Sequence, residues 1–170
     1  MKKILLVLAS AAVMLSLCAC GENNESKTED KSASGSSVVS DASGSLKDAA
    51  ERVNTEIKFP SETAAYTDRR LSRNFGIEAD KIEDFAGYYC SDGVNQEQFI
   101  YIRAKTDDDV QFIKDKLQAH LDSVYNVIKN YTPEQAAIIE KATVDVNGKY
   151  VSLVISANAD QIKAIFNEVM

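Results

Sequence analysis

Apolar residues recur along this chain in two rhythms, one of three and four and one of two, and together they predict its elements. In "TDDDVQFIKDKLQAHLDSVYNVIKNY", residues Val110, Ile113, Leu117, Leu121, Val124 and Ile128 form one stripe at spacings of three and four, the mark of an amphipathic helix. Thr106 stands before that stripe and Asp109 three residues on, a capping-box-like pair for the N–H groups that a helix start leaves open. Ala49, Val53 and Ile57 repeat the helical spacing in "LKDAAERVNTEI", with Ser45 at the N-cap position. Pro60 ends that helix, because the residue before a proline avoids the helical region. Ser61 is then expected to cap a second helix, "ETAAYTDRRLSRNFG", which stops at Gly76. Thr132 and Pro133 open a short helix. "ADQIKAIFNEVM", carrying Ile162, Ile165, Phe166 and Val169, makes the last one.

The rhythm of two belongs to strands. "DFAGYYCS" and "EQFIYIRAK" are rich in aromatic and β-branched residues, and "SDGVN" between them has turn chemistry, so they predict a hairpin. "ATVDV-NG-KYVSLVIS" predicts a second hairpin around a two-residue Asn-Gly turn. The expected fold class is α+β: an antiparallel sheet of two β-hairpins with helices packed mainly on one face, in the order ααββααββα. The other face is expected to carry tyrosines and polar residues.

The first 45 residues follow neither rhythm. Met1 to Lys3 is a short basic start, and Ile4 to Leu17 is an almost unbroken apolar run, short of the ~20 residues that cross a bilayer. That combination reads as a secretory signal peptide. "GENNESKTEDKSASGSSVVSDASGS" has only Val38 and Val39 as large apolar residues, too few to offset the entropy of ordering, so a disordered tether with a reach of about 25–30 Å is expected. Between the two lie Cys18 and Cys20. They are too close for an ordinary structural disulfide and too few for a structural zinc site. "Leu17-Cys18-Ala19-Cys20-Gly21" resembles a bacterial lipobox. The resemblance implies a diacylglyceryl group on the Cys20 thiol and cleavage before it, with Cys18 leaving in the leader. Cys18 departs from the Ser, Ala or Thr more usual at its position. The organisation expected is a signal peptide over 1–19, a lipidated cysteine and tether over 20–45, and an α+β domain over 46–170. Two acyl chains anchor a protein stably, at about 0.8 kcal/mol per buried methylene, so the partner implied by Cys20 is the membrane, at its extracytoplasmic face.

Charge narrows the remaining partners. The chain has 19 bases and 26 acids, net −7. Without its first 19 residues, which hold Lys2 and Lys3 and no acid, 17 bases face 26 acids, net −9. Nucleic-acid phosphates and anionic lipid both repel such a protein, so neither is an expected electrostatic partner. One His and no Trp leave no multi-His metal site within one chain, and neither a metal nor a cofactor is expected. The sequence has no Ser-His-Asp arrangement and no phosphate-cradling Gly loop.

Three groups of residues remain as candidates. Arg69, Arg70 and Arg73 fall on adjacent faces of one predicted helix and could grip an anionic group or a partner; the alternative is a solvated face paired with Asp68 and nearby acids. Tyr88, Tyr89, Tyr101 and Tyr150 sit on predicted strands, where they form a binding platform if the sheet face is bare and core if helices cover it. Cys90 is a small core residue unless His120 approaches it as a base. Asp107, Asp108 and Asp109 are 100° apart around the helix and do not converge on a cation; they suit its positive N-terminus.

"Tyr131-Thr132-Pro133-Glu134-Gln135", "Gly148-Lys149-Tyr150-Val151" and the Glu97-led strand "EQFIYI", with the order of elements, resemble the domain of unknown function 4358 family of bacterial lipoproteins. The resemblance covers most of Leu46 to Met170. It implies the fold and an extracytoplasmic location; the family supplies no established activity, so the biochemistry stays open. The expected function is a lipid-anchored binding or accessory module at the cell envelope, without catalysis, whose further partner is an unidentified protein or small molecule. The alternatives are a small extracytoplasmic hydrolase and a structural envelope-assembly protein.

Overall fold

The computed structural model describes residues 45–170. The predicted leader, Cys18, Cys20 and the tether up to Gly44 lie outside them. The elements run α1 (Leu46–Glu56), β1 (Thr63–Ala65), α2 (Asp68–Phe75), β2 (Ile82–Cys90), β3 (Gln98–Ala104), α3 (Asp107–Ile128), α4 (Pro133–Ile139), β4 (Thr143–Asn147), β5 (Tyr150–Ile155) and α5 (Ala159–Asn167). A 3-10 turn, Ala79–Lys81, leads into β2.

Helix starts are written locally. Ser45 Oγ accepts the Asp48 N–H at 3.1 Å and the Asp48 carboxylate accepts the Ser45 N–H at 3.3 Å, a full capping box for α1. Thr106 Oγ1 accepts the Asp109 N–H at 3.2 Å at the start of α3. The Asp109 carboxylate also takes the Thr106 hydroxyl at 2.6 Å and Lys81 Nζ at 3.0 Å. Those two partners, Thr106 first, hold its carboxyl below the ordinary range. α2 ends at Gly76, whose φ of 66° suits a residue without a Cβ.

The five strands form one antiparallel sheet in the order β1-β2-β3-β5-β4. The two predicted hairpins are therefore joined: β3 and β5 pair from Gln98↔Ile155 to Arg103↔Tyr150. β3 lies at the centre, and all of it except Arg103 is buried. Its side chains alternate between two cores. Ile100, Ile102 and Ala104, with Val151, Leu153 and Ile155 of β5, meet Leu71, Phe75, Ile113, Leu117, Leu121 and Ile139 of α2, α3 and α4. Phe99, Tyr101 and Val154 meet Leu46, Ala49, Val53, Ile162, Ile165 and Phe166 of α1 and α5. The α+β class and the antiparallel sheet stand. The second face, expected to carry tyrosines and polar residues, is covered as well. β3 and β5 are apolar at both alternations, so neither face can be left to water.

Two local expectations are corrected. The helix predicted from Ser61 to Gly76 is split. Thr63–Ala65 is an edge strand paired with Tyr88–Cys90, and helix begins only after Thr67, whose side chain accepts the Arg70 N–H. Ser61 caps nothing, its hydroxyl bonding to the Glu62 carbonyl. The extended course lets Tyr66 turn inward against Phe75 and Tyr89, a long-range gain that outweighs local helix propensity. The second hairpin turns at Gly148-Lys149, one residue later than the Asn-Gly reading, with Asn147 opposite Tyr150. This register sets Val146 opposite Val151, where the other sets it opposite Lys149. Gly148 has φ 55°.

Gly87 allows the close approach of β2 and β3. A Cβ there would collide with the Phe99 carbonyl oxygen and lie 2.8 Å from Ile100 Cα. Both contacts are backbone and cannot give way.

Candidate functional site

The end of the sheet where β2 and β5 finish and β3 begins carries the densest polar framework outside the cores. Asp92 shapes the loop entering β3. Its carboxylate accepts the N–H groups of Val94 and Asn95 at 3.0 and 2.9 Å and the Asn95 side-chain amide at 2.5 Å. These bonds, the two backbone ones foremost, hold it below the ordinary carboxylate range. The Gln96 N–H then donates to Gln135 Oε1 of α4 at 2.9 Å. The Glu97 carboxylate accepts the Ser156 hydroxyl at 2.5 Å and the Ala157 N–H at 3.2 Å, tying the start of β3 to the turn before α5.

Between these ties lies a cleft of about 180 Å³, floored by Ile138, Ile139 and Ile155 and rimmed by Asn95, Gln96 and Gln135. Ile138 also walls a more polar hollow of about 530 Å³ that includes Lys141, Ser156, Asn158 and Lys163. Asn95 Oδ1 and Gln135 Nε2 make no hydrogen bond to any described residue. The cleft thus offers an uncharged acceptor and donor above an apolar floor. Glu97 is already occupied and acts as a brace.

The residues singled out from the sequence are scattered. Tyr101 is 2% exposed, stacked on Phe166 of α5 with ring centroids 3.6 Å apart. Burial pushes its hydroxyl pKa up. Tyr88 is half-buried, its ring 6.0 Å from Phe99, and Tyr150 is half-buried near Arg103. The predicted platform of Tyr88, Tyr101 and Tyr150 is therefore not a bare face: α1 and α5 lie on it. Cys90 is buried and free, and burial pushes its thiol up, partly offset by Ser61. It belongs by strand alternation with Ala86 and Tyr88, on the face opposite His120, so no Cys–His pair forms. Asp107 and Asp108 are exposed at the start of α3 and Asp109 is engaged there. Among the described residues no three of His, Cys, Asp and Glu converge as a metal site. Arg69 and Arg73 are exposed on α2, and Arg70 is half-buried, its guanidinium 3.5 Å above the Tyr89 ring centroid.

One polar arrangement escaped the sequence. Gln98, only 7% exposed, accepts the Tyr66 hydroxyl on Oε1 at 2.5 Å and points Nε2 at His120 Nε2, 3.3 Å away. The Gln98 side-chain nitrogen can only donate, so His120 Nε2 is the acceptor in this contact. Burial lowers the His120 pKa, and the Asn74 bond opposes that only partly. Each member is satisfied by the next. The only sequence sign is a Gln opening an otherwise apolar strand; its partners lie 32 and 22 residues away. Gln135 was visible in its motif, but its bond to the Gln96 backbone was not.

Among the described helices none is long and apolar enough to cross a membrane. No curated protein and no solved structure matches the chain. The family model described as Domain of unknown function (DUF4358) matches residues 56–156, which take in the strands, the intervening helices and the cleft, and over more than half its length the chain is thereby a member of that family.

Proposed function

We propose that the protein is a lipid-anchored extracytoplasmic binding module, held at the membrane through Cys20, with the cleft over Ile138, Ile139 and Ile155 as its ligand site and without catalysis. The observation that carries this reading is the meeting of Gln96 and Gln135 over an apolar floor, braced by Glu97. Glu97 and Gln135 come from two of the stretches on which the family resemblance rests. At about 180 Å³ the cleft is smaller than drug-sized pockets of ~300 Å³ and more. It fits one apolar side chain, with a neutral hydrogen-bonding group beside it, as in a peptide. A protonated, buried Cys90 is a poor nucleophile, which favours binding over hydrolysis.

Two measurements test the two halves of the proposal. Cys20→Ser is expected to remove the protein from the mature, membrane-bound fraction; unchanged processing and membrane partition would overturn the anchor. For the cleft, isoleucine methyl groups report by NMR during titration with envelope-derived peptide fractions. Ile138, Ile139 and Ile155 are expected to shift while Ile162 and Ile165 of α5, in the other core, stay still. Shifts at none of the three would overturn the site.

A further inference from the structure

The five arginines of the chain divide sharply by environment. Arg52 is paired with Glu56 and Glu168, at 3.1 and 2.6 Å, and Arg103 with Glu83 at 3.3 Å. Arg69, Arg70 and Arg73, all on α2, have no ion pair among the described residues. Acids outnumber bases by 26 to 19, so unpaired arginines are the reverse of what abundance alone would produce. Asp68, directly before Arg69, is within ion-pair distance of none of them. Arg69 and Arg73 are solvated, but neither has a carboxylate partner among the described residues.

Geometry concentrates the three. At 100° per residue, Arg69 and Arg73 differ by 40° around the helix and Arg70 and Arg73 by 60°, so all three share one side. Leu71 and Phe75 hold the opposite side in the core. Arg70 is fixed further. Its guanidinium lies on the Tyr89 ring, and its Nε is buried without a hydrogen-bond partner. The Tyr89 ring in turn packs against Tyr66, centroid to centroid 5.1 Å. A guanidinium pressed on an aromatic ring keeps its outer edge free and has already lost much of its rotamer freedom, which lowers the entropic cost of gripping a ligand. The core thus positions Arg70, and α2 places Arg73 one turn further along.

The geometry points to a binding site for a phosphate group on this face of α2, with Arg70 as its fixed element and Arg73 and Arg69 closing on the oxyanion. Arginine suits this chemistry because its planar fork meets two oxygens of a phosphate at once, and several forks are needed to share a group with up to two negative charges. The site is separate from the cleft and does not rest on the function proposed for it.

The test uses the full chain in detergent micelles, with the arginine Nε–Hε signals followed by NMR during titration with inorganic phosphate. Sodium chloride at matched ionic strength is the control. Arg70 and Arg73 are expected to shift saturably, while Arg52 and Arg103, already paired, remain still. Arg70→Gln and Arg73→Gln should each weaken binding about tenfold, and Arg52→Gln should leave it unchanged. A second arm replaces free phosphate by vesicles of phosphatidylglycerol, with phosphatidylcholine, whose phosphate is offset by its choline, for comparison. Binding of both inorganic phosphate and phosphatidylglycerol marks the phosphate as sufficient, and binding of the vesicles alone marks a headgroup as its source. Equal shifts in all five arginines, the same shifts with chloride, or no response in either arm would overturn the proposal.

Discussion

On one side of the sheet the buried core is mainly aliphatic: Ile100, Ile102, Leu153 and Ile155 meet Leu71, Ile113, Leu117, Leu121 and Ile139, with the rings of Tyr66 and Phe75 beside them. On the other, large rings do much of the filling: Phe166 meets both Phe99 and Tyr101, with Phe59 and Tyr88 at the margin. The aliphatic side also holds the Tyr66–Gln98–His120 chain and stands next to the arginines of α2. The difference teaches how each side can fail. A core of many small pieces spreads its energy, while one built around a few rings concentrates it. A polar chain adds stability only while every member has its partner.

The largest expected effect lies on the aromatic side. Phe166→Ala removes the ring that stacks on Tyr101 and meets Phe99, and should cost about 4 kcal/mol in urea unfolding. A loss below about 1 kcal/mol would break the comparison, since the aromatic side would then be as forgiving as a spread core. Next comes the polar chain on the aliphatic side. Gln98→Leu keeps the apolar pattern of β3 but strands the Tyr66 hydroxyl and His120 Nε2, at a cost of about 2 kcal/mol. Adding Tyr66→Phe should recover part of that loss. Strict additivity of the two changes would show that the bond between them contributes nothing.

The smallest effect is a pH dependence. Burial lowers the His120 pKa in the folded state, so the unfolded chain binds more protons just below its ordinary value of about 6.5. Stability from keeping His120 neutral is present above that value and is lost as pH falls towards the folded pKa. Asp109, whose carboxyl is held low, contributes in the same direction but below about pH 3.9, in a separate window. The midpoint of urea unfolding should therefore fall between pH 7.5 and pH 5.5 in the native chain and stay nearly flat in His120→Gln. Equal slopes would remove His120 as the source.

Much of this fold was legible because its signals are local. The α3 stripe, the Thr106 and Ser45 caps, the stop at Gly76 and the second hairpin's turn involve residues within about four positions of one another, and the first hairpin closes over the short loop from Cys90 to Gln98. What was not legible involved residues far apart. Ala64 and Ala65 favour helix by propensity, so only pairing with the edge of β2 makes them a strand. The two-sided burial of β3 is present in the letters "QFIYIRA", yet reading it requires knowing that β3 lies at the centre. For the cleft, Glu97 and Gln135 drew attention through their motifs, and their roles waited on Ser156 and Gln96. The arginines were visible as a group, but whether they had partners was not, since an ion pair depends on where distant carboxylates fall.

By itself, then, the sequence determined the starts of α1 and α3, the stop of α2 and the presence of both hairpins, because caps, apolar spacing and turn residues act over a turn of helix or the two ends of a loop. Only the tertiary structure decided which strand is central, that both sheet faces are covered, which polar groups meet in the cleft, and that three arginines stand without a carboxylate among the described residues. Those outcomes follow from packing and electrostatics between segments tens of residues apart, where many pairings fit the local pattern and burial selects among them.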